Sequence, residues 1–318
     1  HLPVCRPGQP LGPGPQEFTQ APLYYILGAC LIAPIDVSNA GDFFVPKPGA
    51  PVGRADIAGP KNGWEVRGNR AFPFSGTMLA VTLLRLFSMA VGIGTLVILD
   101  SLLRRLWPDD PFIGWLALGW VAFNPMFLFI SNAVNNDNLV ILTSTATLAC
   151  LLVAREKENS FKIDWFAGGL LGFAILSKIS ALMLVPVVAL AYLSADRPWR
   201  RRWFGLGLCA ATALAVCGPW LAWNQVHYGD CLALNIHRTF ANVRAAAEPL
   251  ALFKEWDGFI KSYWGVFGMF NVIFPEALYR FFYGLSFLFV VSVAWAFIKR
   301  ALHGWNPALL AIYSLLIF

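Results

Sequence analysis

The sequence predicts an all-α polytopic integral membrane protein, and three observations predict it. Of 318 residues, 58% are hydrophobic and only 13% charged, whereas a soluble domain carries about 25% charged residues. The chain therefore lacks the polar surface to cover a water-soluble fold of its size. Its apolar residues gather in runs close to the ~20 residues that span the hydrocarbon as a helix. Short Lys/Arg clusters close several of these runs, and the 13 Trp and 26 Phe suit helices anchored at the headgroup level. The net charge of +6 sits mostly in those clusters. There is no long basic tract, so nucleic acid is not an expected partner.

Residues 1–76 read as an outer loop region. Within it, the apolar stretch 21–35 opens with Gln20-Ala21-Pro22-Leu23-Tyr24-Tyr25 and closes at Pro34 and Asp36. It is too short to cross comfortably, and both flanks fall on one side, so it reads as a juxtamembrane or re-entrant helix. The segment 36–76 is rich in Gly, Pro and charge, and loops of that length are functional or disordered.

The bundle covers 77–224. Spanning helices are expected at about 77–100, 112–131, 138–154 and 203–224. Arg104-Arg105 follows the first, and Arg155-Glu156-Lys157 with Lys162 follows the third. Under the positive-inside rule these ends are cytoplasmic. The stretch 164–194 lies between two cationic loops and must cross an even number of times. It reads as a short hairpin, 164–176 and 180–194, with Ser177-Lys178-Ile179-Ser180 at the turn. Broken helices of this kind are tolerated in protein-lined cavities.

Residues 225–278 then form an outer loop. A helix at 279–298 ends at Lys299-Arg300, and 307–318 begins another that is cut off. Loops 104–111, 155–163, 195–202 and 299–306 are inside; segments 1–76, 132–137 and 225–278 are outside. The chain begins at His1 in mid-loop and ends at Phe318 in an apolar run, so a fragment of a longer protein is expected.

Six Cys are present without a CxxC pair. Cys30, Cys150, Cys209 and Cys217 lie in apolar runs and read as small packing residues. Cys5 and Cys231 both fall outside, which leaves a disulfide open; spacing cannot establish one.

Phosphate-binding loops, HExxH, GxSxG and dinucleotide fingerprints are absent. What remains is a set of polar residues at outer helix ends. Asn135-Asn136-Asp137-Asn138 offers a carboxylate and three amides for a metal or a sugar hydroxyl, or a helix N-cap. Lys178 at the hairpin turn pairs with a lipid phosphate, or snorkels to the interface. Arg85, in the outer half of the first helix, binds a phosphate or pairs with a carboxylate such as Asp137. Beyond 224, His227 belongs to an aromatic belt and turn, and His237-Arg238, Arg244 and Lys254 make a basic outer region. Glu17 is the best carboxylate of the first outer segment; its blander reading is a solvated loop acid.

These residues resemble the membrane glycosyltransferases of the GT-C superfamily. Glu17-Phe18-Thr19-Gln20-Ala21-Pro22-Leu23-Tyr24-Tyr25 is similar to that superfamily's (H/Q)-P-P-L-Y-Y segment. Leu84-Arg85-Leu86-Phe87-Ser88 resembles its R-L-x-S helix. Asn124-Pro125 with Asn136-Asp137 resembles P-x-F…N-x-D, and Gly172 to Lys178 resembles G-L-A-x-L-T-K. Gly218-Pro219-Trp220, Asn224 and Tyr228-Gly229-Asp230 resemble G-P-W…R-N…Y-G-D-P. The bacterial branch called DUF2142 is the most similar. Ala21 replaces the usual first Pro, and Trp223 stands where Arg often precedes the Asn.

The resemblance implies a GT-C-like helical bundle with large outer loops, juxtamembrane helices and an outer active site. It implies transfer of a sugar from a polyprenyl-phosphate donor at the extracytoplasmic face of, in this case, a bacterial cytoplasmic membrane. Lys178 and Arg85 would hold the donor phosphate. Asp137, Asn136, His237 and Arg238 would meet the sugar or a metal, since some members use a divalent ion. The family's acidic pair lies early in the first outer loop, just after its first helix. Nothing in 1–16 matches it, so the main carboxylate is expected upstream of His1, with Glu17 as the candidate within the chain. Membrane lipids, the polyprenyl-phosphate sugar and protein partners in a membrane complex are the expected partners. The alternatives are a non-catalytic subunit of the same fold and a transporter; the latter predicts repeats, and none is visible.

Overall fold

The computed structural model describes residues 20–47, 53, 55–56, 61–68, 70–108, 110–156, 161–236 and 255–301. Glu17, Cys5, His237, Arg238, Arg244, Lys254 and the stretch 307–318 lie outside them. The protein is an all-α membrane bundle with two very short hairpins. Among the described residues, three helices are long and apolar enough to cross a bilayer, or four if one bent pair is a single span. Exposed Ile93, Val97, Phe112, Trp115 and Leu116 form an outward apolar surface too extensive for a protein facing water.

The first elements are α1 (Leu23–Ile32), α2 (Ala40–Phe43), and an antiparallel pair, β1 (Phe44–Pro46) and β2 (Trp64–Val66). Helix α1 lies against α3 (Gly76–Leu106). Its Tyr24 is buried on Phe87, with a hydroxyl 2.7 Å from Ser88 Oγ. Gly28 suits the close approach: a Cβ would stand 3.0 Å from Leu84 Cδ2. Helix α3 has 31 residues, about 46 Å at 1.5 Å per residue. It outruns the hydrocarbon core and carries Arg104 and Arg105 in its last turn.

The stretch 112–131, expected as one helix, is two: α4 (Pro111–Ala122) and α5 (Pro125–Ser131), bent by 61°. Asn124-Pro125 is the cause. Proline drives the residue before it out of the helical region, and Asn124 is extended at φ −65°, ψ 122°. Its side chain then caps the new helix, accepting from Met126 N at 2.9 Å and Phe127 N at 3.1 Å, while Pro125 takes a first-turn position that needs no donor.

Helices α6 (Asp137–Glu156), α7 (Phe161–Ser177), α8 (Leu184–Leu193) and α9 (Trp199–Tyr228) build the core. Leu151, Ala167, Leu171, Ala174, Ile175, Cys209, Ala213 and Cys217 are buried together. The α7–α9 seam is made by Gly168 and Gly172, one helical turn apart. A Cβ on Gly168 would stand 2.8 Å from Thr212 Cβ, and one on Gly172 2.6 Å from Val216 Cβ. Small residues at this spacing let membrane helices approach closely.

Between α7 and α8 the helix breaks. Ser177 ends α7, Lys178 is extended at φ −158°, ψ 136°, and Ile179–Met183 form a 3₁₀ segment. At the other end of the hairpin, fully buried Asp164 accepts from Arg201 Nη2 at 2.6 Å and the Tyr192 hydroxyl at 3.0 Å. Helix α9 ends on Gly229, left-handed at φ 67°. Asp230 then accepts from Leu232 N at 3.0 Å and Asn235 N at 2.9 Å, so the Tyr228-Gly229-Asp230 stretch is a helix stop and turn. Cys231 is a free thiol.

After residue 254 come α10 (Trp256–Gly265), a hairpin of β3 (Val266–Phe267) and β4 (Val272–Ile273), and α11 (Glu276–Ala301). Trp264 stacks on Phe282 at 4.4 Å, and Trp120 Nε1 donates to the Tyr263 hydroxyl at 3.1 Å. Asn271 Nδ2 donates to the Lys61 carbonyl at 2.9 Å. The two long loop regions are thereby tied together, on the bundle end that also carries Asp137 and Lys178.

Candidate functional site

Three separated segments meet at that end. The first is Gln20, at the start of the segment leading into α1. The second is the loop from α5 to α6, and the third is the break after α7. Asn136, 1% exposed, joins all three: its Nδ2 donates to Gln20 Oε1 at 2.5 Å and to the Ser177 carbonyl at 3.1 Å. That carbonyl belongs to the last turn of α7, where no intrahelical donor remains for it.

The amide quartet divides its work. Asn135 Oδ1 accepts from Asp137 N at 2.9 Å, as a cap does. Asn138, buried, donates to the carbonyls of Ile130, Ala133 and Asn135 at 2.9, 3.0 and 3.1 Å and closes the α5–α6 loop. Capping is thus done by Asn135, and Asp137 is left for something else: its Oδ1 takes the Lys178 ammonium in an ion pair. Asp137 in the first turn of α6 also complements the positive helix end. The two side chains are 29% and 33% exposed, so the pair is reached by solvent and is not in the core.

Arg85 is not brought to this pair. It is exposed on α3, beside the Leu84 that touches Gly28. Among the described residues no ion pair or hydrogen bond is recorded for it. The carboxylate partner that the sequence offered to Arg85 goes to Lys178, because the α7 break carries Lys178 to the head of α6.

A cavity of about 470 Å³ is lined by residues that follow the pair closely in sequence, Ile141 one helical turn after Asp137 and Ser180 two residues after Lys178. Along α6 its wall is Ile141, Ser144, Thr145 and Leu148, which share the face of Asp137 by the three-and-four spacing of a helix. Thr95 and Leu99 of α3, Met126, Phe127 and Ile130 of α5, and Ser180 to Leu184 add the other walls. Asn124 and Tyr263 place polar groups at one side. Apart from these and the hydroxyls of Thr95, Ser144, Thr145 and Ser180 the lining is apolar, as ligand sites generally are. Sequence reasoning did not find this cavity. Its signal was the Asn124-Pro125 break, which turns α5 away from α4 and opens the space.

No group of three or more His, Cys, Asp or Glu gathers among the described residues, and Asp137 holds an ammonium ion. Asn224, carried by the last of the family-like motifs, is buried with Nδ2 3.1 Å from the Cys231 carbonyl, and it steadies the turn after α9. His227 stacks on Trp223 at 4.2 Å.

No curated protein and no solved structure matches the chain. Residues 75–223 match the family model described as Dolichyl-phosphate-mannose-protein mannosyltransferase, and this match, which spans Arg85, Asp137, Lys178 and the whole cavity wall of α3 to α8, supports a GT-C superfamily relationship for the bundle.

Proposed function

We propose that the chain belongs to a glycosyltransferase that takes a sugar from a polyprenyl-phosphate donor and passes it to an acceptor at the extracytoplasmic face. One observation carries the reading: the paired Asp137 and Lys178 stand one helical turn before Ile141 and two residues before Ser180, which line a mainly apolar cavity, and the pair lies inside the stretch that matches the mannosyltransferase model. A polyprenyl phosphate needs a cation for its head and an apolar groove for its chain, and the two are adjacent here.

In this mechanism Lys178 Nζ faces the donor phosphate, and Asp137 positions the ammonium until the donor arrives. The acceptor oxygen attacks the anomeric carbon and the bond from that carbon to the phosphate oxygen breaks. The acceptor proton goes to a carboxylate on the opposite face of the sugar, as inversion requires. Such base help contributes about 10²–10⁴-fold. A cation fixed at the leaving phosphate stabilises charge as it develops. Asp137 is occupied by Lys178, and the resemblance places the base in the first outer loop, upstream of His1. Glu17 is the candidate within the chain: three residues of backbone reach at most about 11 Å from Gln20, which bonds Asn136.

The engagement of Asp137 by Lys178 also favours a second reading, a non-catalytic subunit that holds a polyprenyl phosphate without turning it over. One experiment addresses both. The full chain in nanodiscs is titrated with a polyprenyl monophosphate, and sugar transfer from a polyprenyl-phosphate sugar is followed in parallel. Lys178→Ala should weaken binding at least tenfold while leaving the melting temperature nearly unchanged. Binding equal to wild type in Lys178→Ala overturns the site; binding without transfer selects the subunit reading.

A further inference from the structure

A second groove lies on the outward surface of the α7–α9 seam and runs from the Phe161 end of α7 to Phe173. Its volume is about 620 Å³, and Phe161, Trp165, Phe166, Gly169, Phe173 and Thr212 form it with Lys162 at the rim. Two neighbouring glycines have opposite jobs here. Gly168 lets α9 approach, while Gly169 faces open space: a Cβ added to it meets nothing within 4 Å. The groove therefore has a floor without a side chain, between walls of exposed Trp165, Phe166 and Phe173.

The charge at this end is positive. Among the described side chains, Arg104, Arg105, Lys162, Arg197, Arg200, Arg201 and Arg202 stand against Asp100, Asp110, Asp164 and Asp196. Arg104 is engaged by Asp100 and Arg201 by Asp164. The Arg201 guanidinium also lies 4.8 Å over the Phe161 ring, which fixes the rim of the groove. Lys162 is exposed at that rim, one helical turn before Trp165. Trp199 and Trp203, exposed and in edge contact at 5.2 Å, continue an aromatic belt of the kind that marks the headgroup level.

We infer that this groove holds one anionic phospholipid of the cytoplasmic leaflet. Its phosphate lies beside Lys162, and one acyl chain lies over Gly169 between Trp165, Phe166 and Phe173. The charge complementarity commits the site to an anionic head, because basic pockets between membrane helices recognise such heads. The site is separate from the Asp137–Lys178 pair and from the cavity beside it: neither residue of the pair lines the groove, and the groove and the cavity share no lining residue.

The test is native mass spectrometry of the full chain released from nanodiscs of mixed phosphatidylglycerol and phosphatidylcholine with the same chains. Wild type should retain one phosphatidylglycerol in preference to phosphatidylcholine. Gly169→Trp, which fills the groove, should lose it. Lys162→Gln, a surface change that does not touch packing, should lower retention about fivefold, the size of one lysine at an anionic surface. Equal retention of the two lipids, or unchanged phosphatidylglycerol in both variants, overturns the inference. So does a wild-type dimer that Gly169→Trp dissociates, since the occupant would then be a helix of a second copy. Should Gly169→Trp fail to fold, Lys162→Gln with Gly169→Leu decides the question by the same readout.

Discussion

Asn136 reaches across 41 residues of sequence to the main chain of Ser177, its Nδ2 lying 3.1 Å from the carbonyl oxygen. The same nitrogen holds Gln20, so one side chain positions the break that presents Lys178. Asn136→Ala should cost about 1–3 kcal/mol, because a buried carbonyl loses its donor. It should also weaken polyprenyl phosphate binding without touching a charge. Thermal unfolding and the nanodisc titration check both parts. Wild-type binding in a destabilised Asn136→Ala would separate the bond from the presentation of Lys178.

The fold class was legible because uniform apolar runs and cationic ends are read one segment at a time. The α4–α5 bend was less so: hydropathy is continuous across 112–131, and only Asn124-Pro125 betrays the break. The pairing of Asp137 was not legible. Arg85 and Lys178 are both cations in family-like motifs, and no spacing tells which of two distant segments reaches the head of α6. Gly168 and Gly172 carried a readable small-residue signal for the α7–α9 seam. Glu17, His237 and Arg238 fall outside the described residues and stay as the sequence left them.

Gly172→Val should loosen the bundle. The new side chain meets Val216 Cβ and the Ala213 carbonyl well inside contact distance, and overpacking of a tight core costs about 1–3 kcal/mol. Gly207→Ala on α9, where a Cβ meets nothing within 4 Å, should be neutral or stabilising by about 0.5–1 kcal/mol. Melting temperatures in one detergent distinguish the two, and equal shifts would contradict the seam.

Asp164 and Arg201 form a buried pair, with side chains 1% and 10% exposed. Asp164→Asn strands the guanidinium and should cost about 3–5 kcal/mol. Replacing both, as Asp164→Leu with Arg201→Met, should recover much of that loss, since an apolar pair of similar volume needs no compensation. A double variant no more stable than Asp164→Asn would show that Tyr192, which also bonds Asp164, is the partner that matters.

Helix α10 has a pH-dependent anchor. The Tyr283 hydroxyl and then Lys261 hold the Asp257 carboxyl below its ordinary range. A carboxyl with a lowered folded pKa contributes fully above its unfolded value of about 3.9, and the contribution fades as pH falls through the folded value. Amide exchange in α10 should therefore accelerate below about pH 4. The effect is modest because the side chain is 61% exposed. Asp257→Asn should exchange fast at every pH; an unchanged acid response in that variant would place the titrating group elsewhere.

Exchanging the charges of the central pair separates architecture from chemistry. In Asp137→Lys with Lys178→Asp the attraction between the two positions survives, so most of the coupling between the head of α6 and the α7 break should survive with it. The exchange puts a cation on the first turn of α6, where the helix end disfavours it by about 0.3–1 kcal/mol. A small drop in melting temperature is thus expected, smaller than for either single change, each of which sets like charges face to face. If the pair is only a strut, polyprenyl phosphate binding should follow the melting temperature and return with the exchange. If Lys178 is the group that meets the phosphate, binding should stay at least tenfold below wild type in the exchanged protein, because the carboxylate now projects from the break where the ammonium stood. The second outcome is the one expected, since Ser180 and Ala181, two and three residues after Lys178 in the chain, line the cavity.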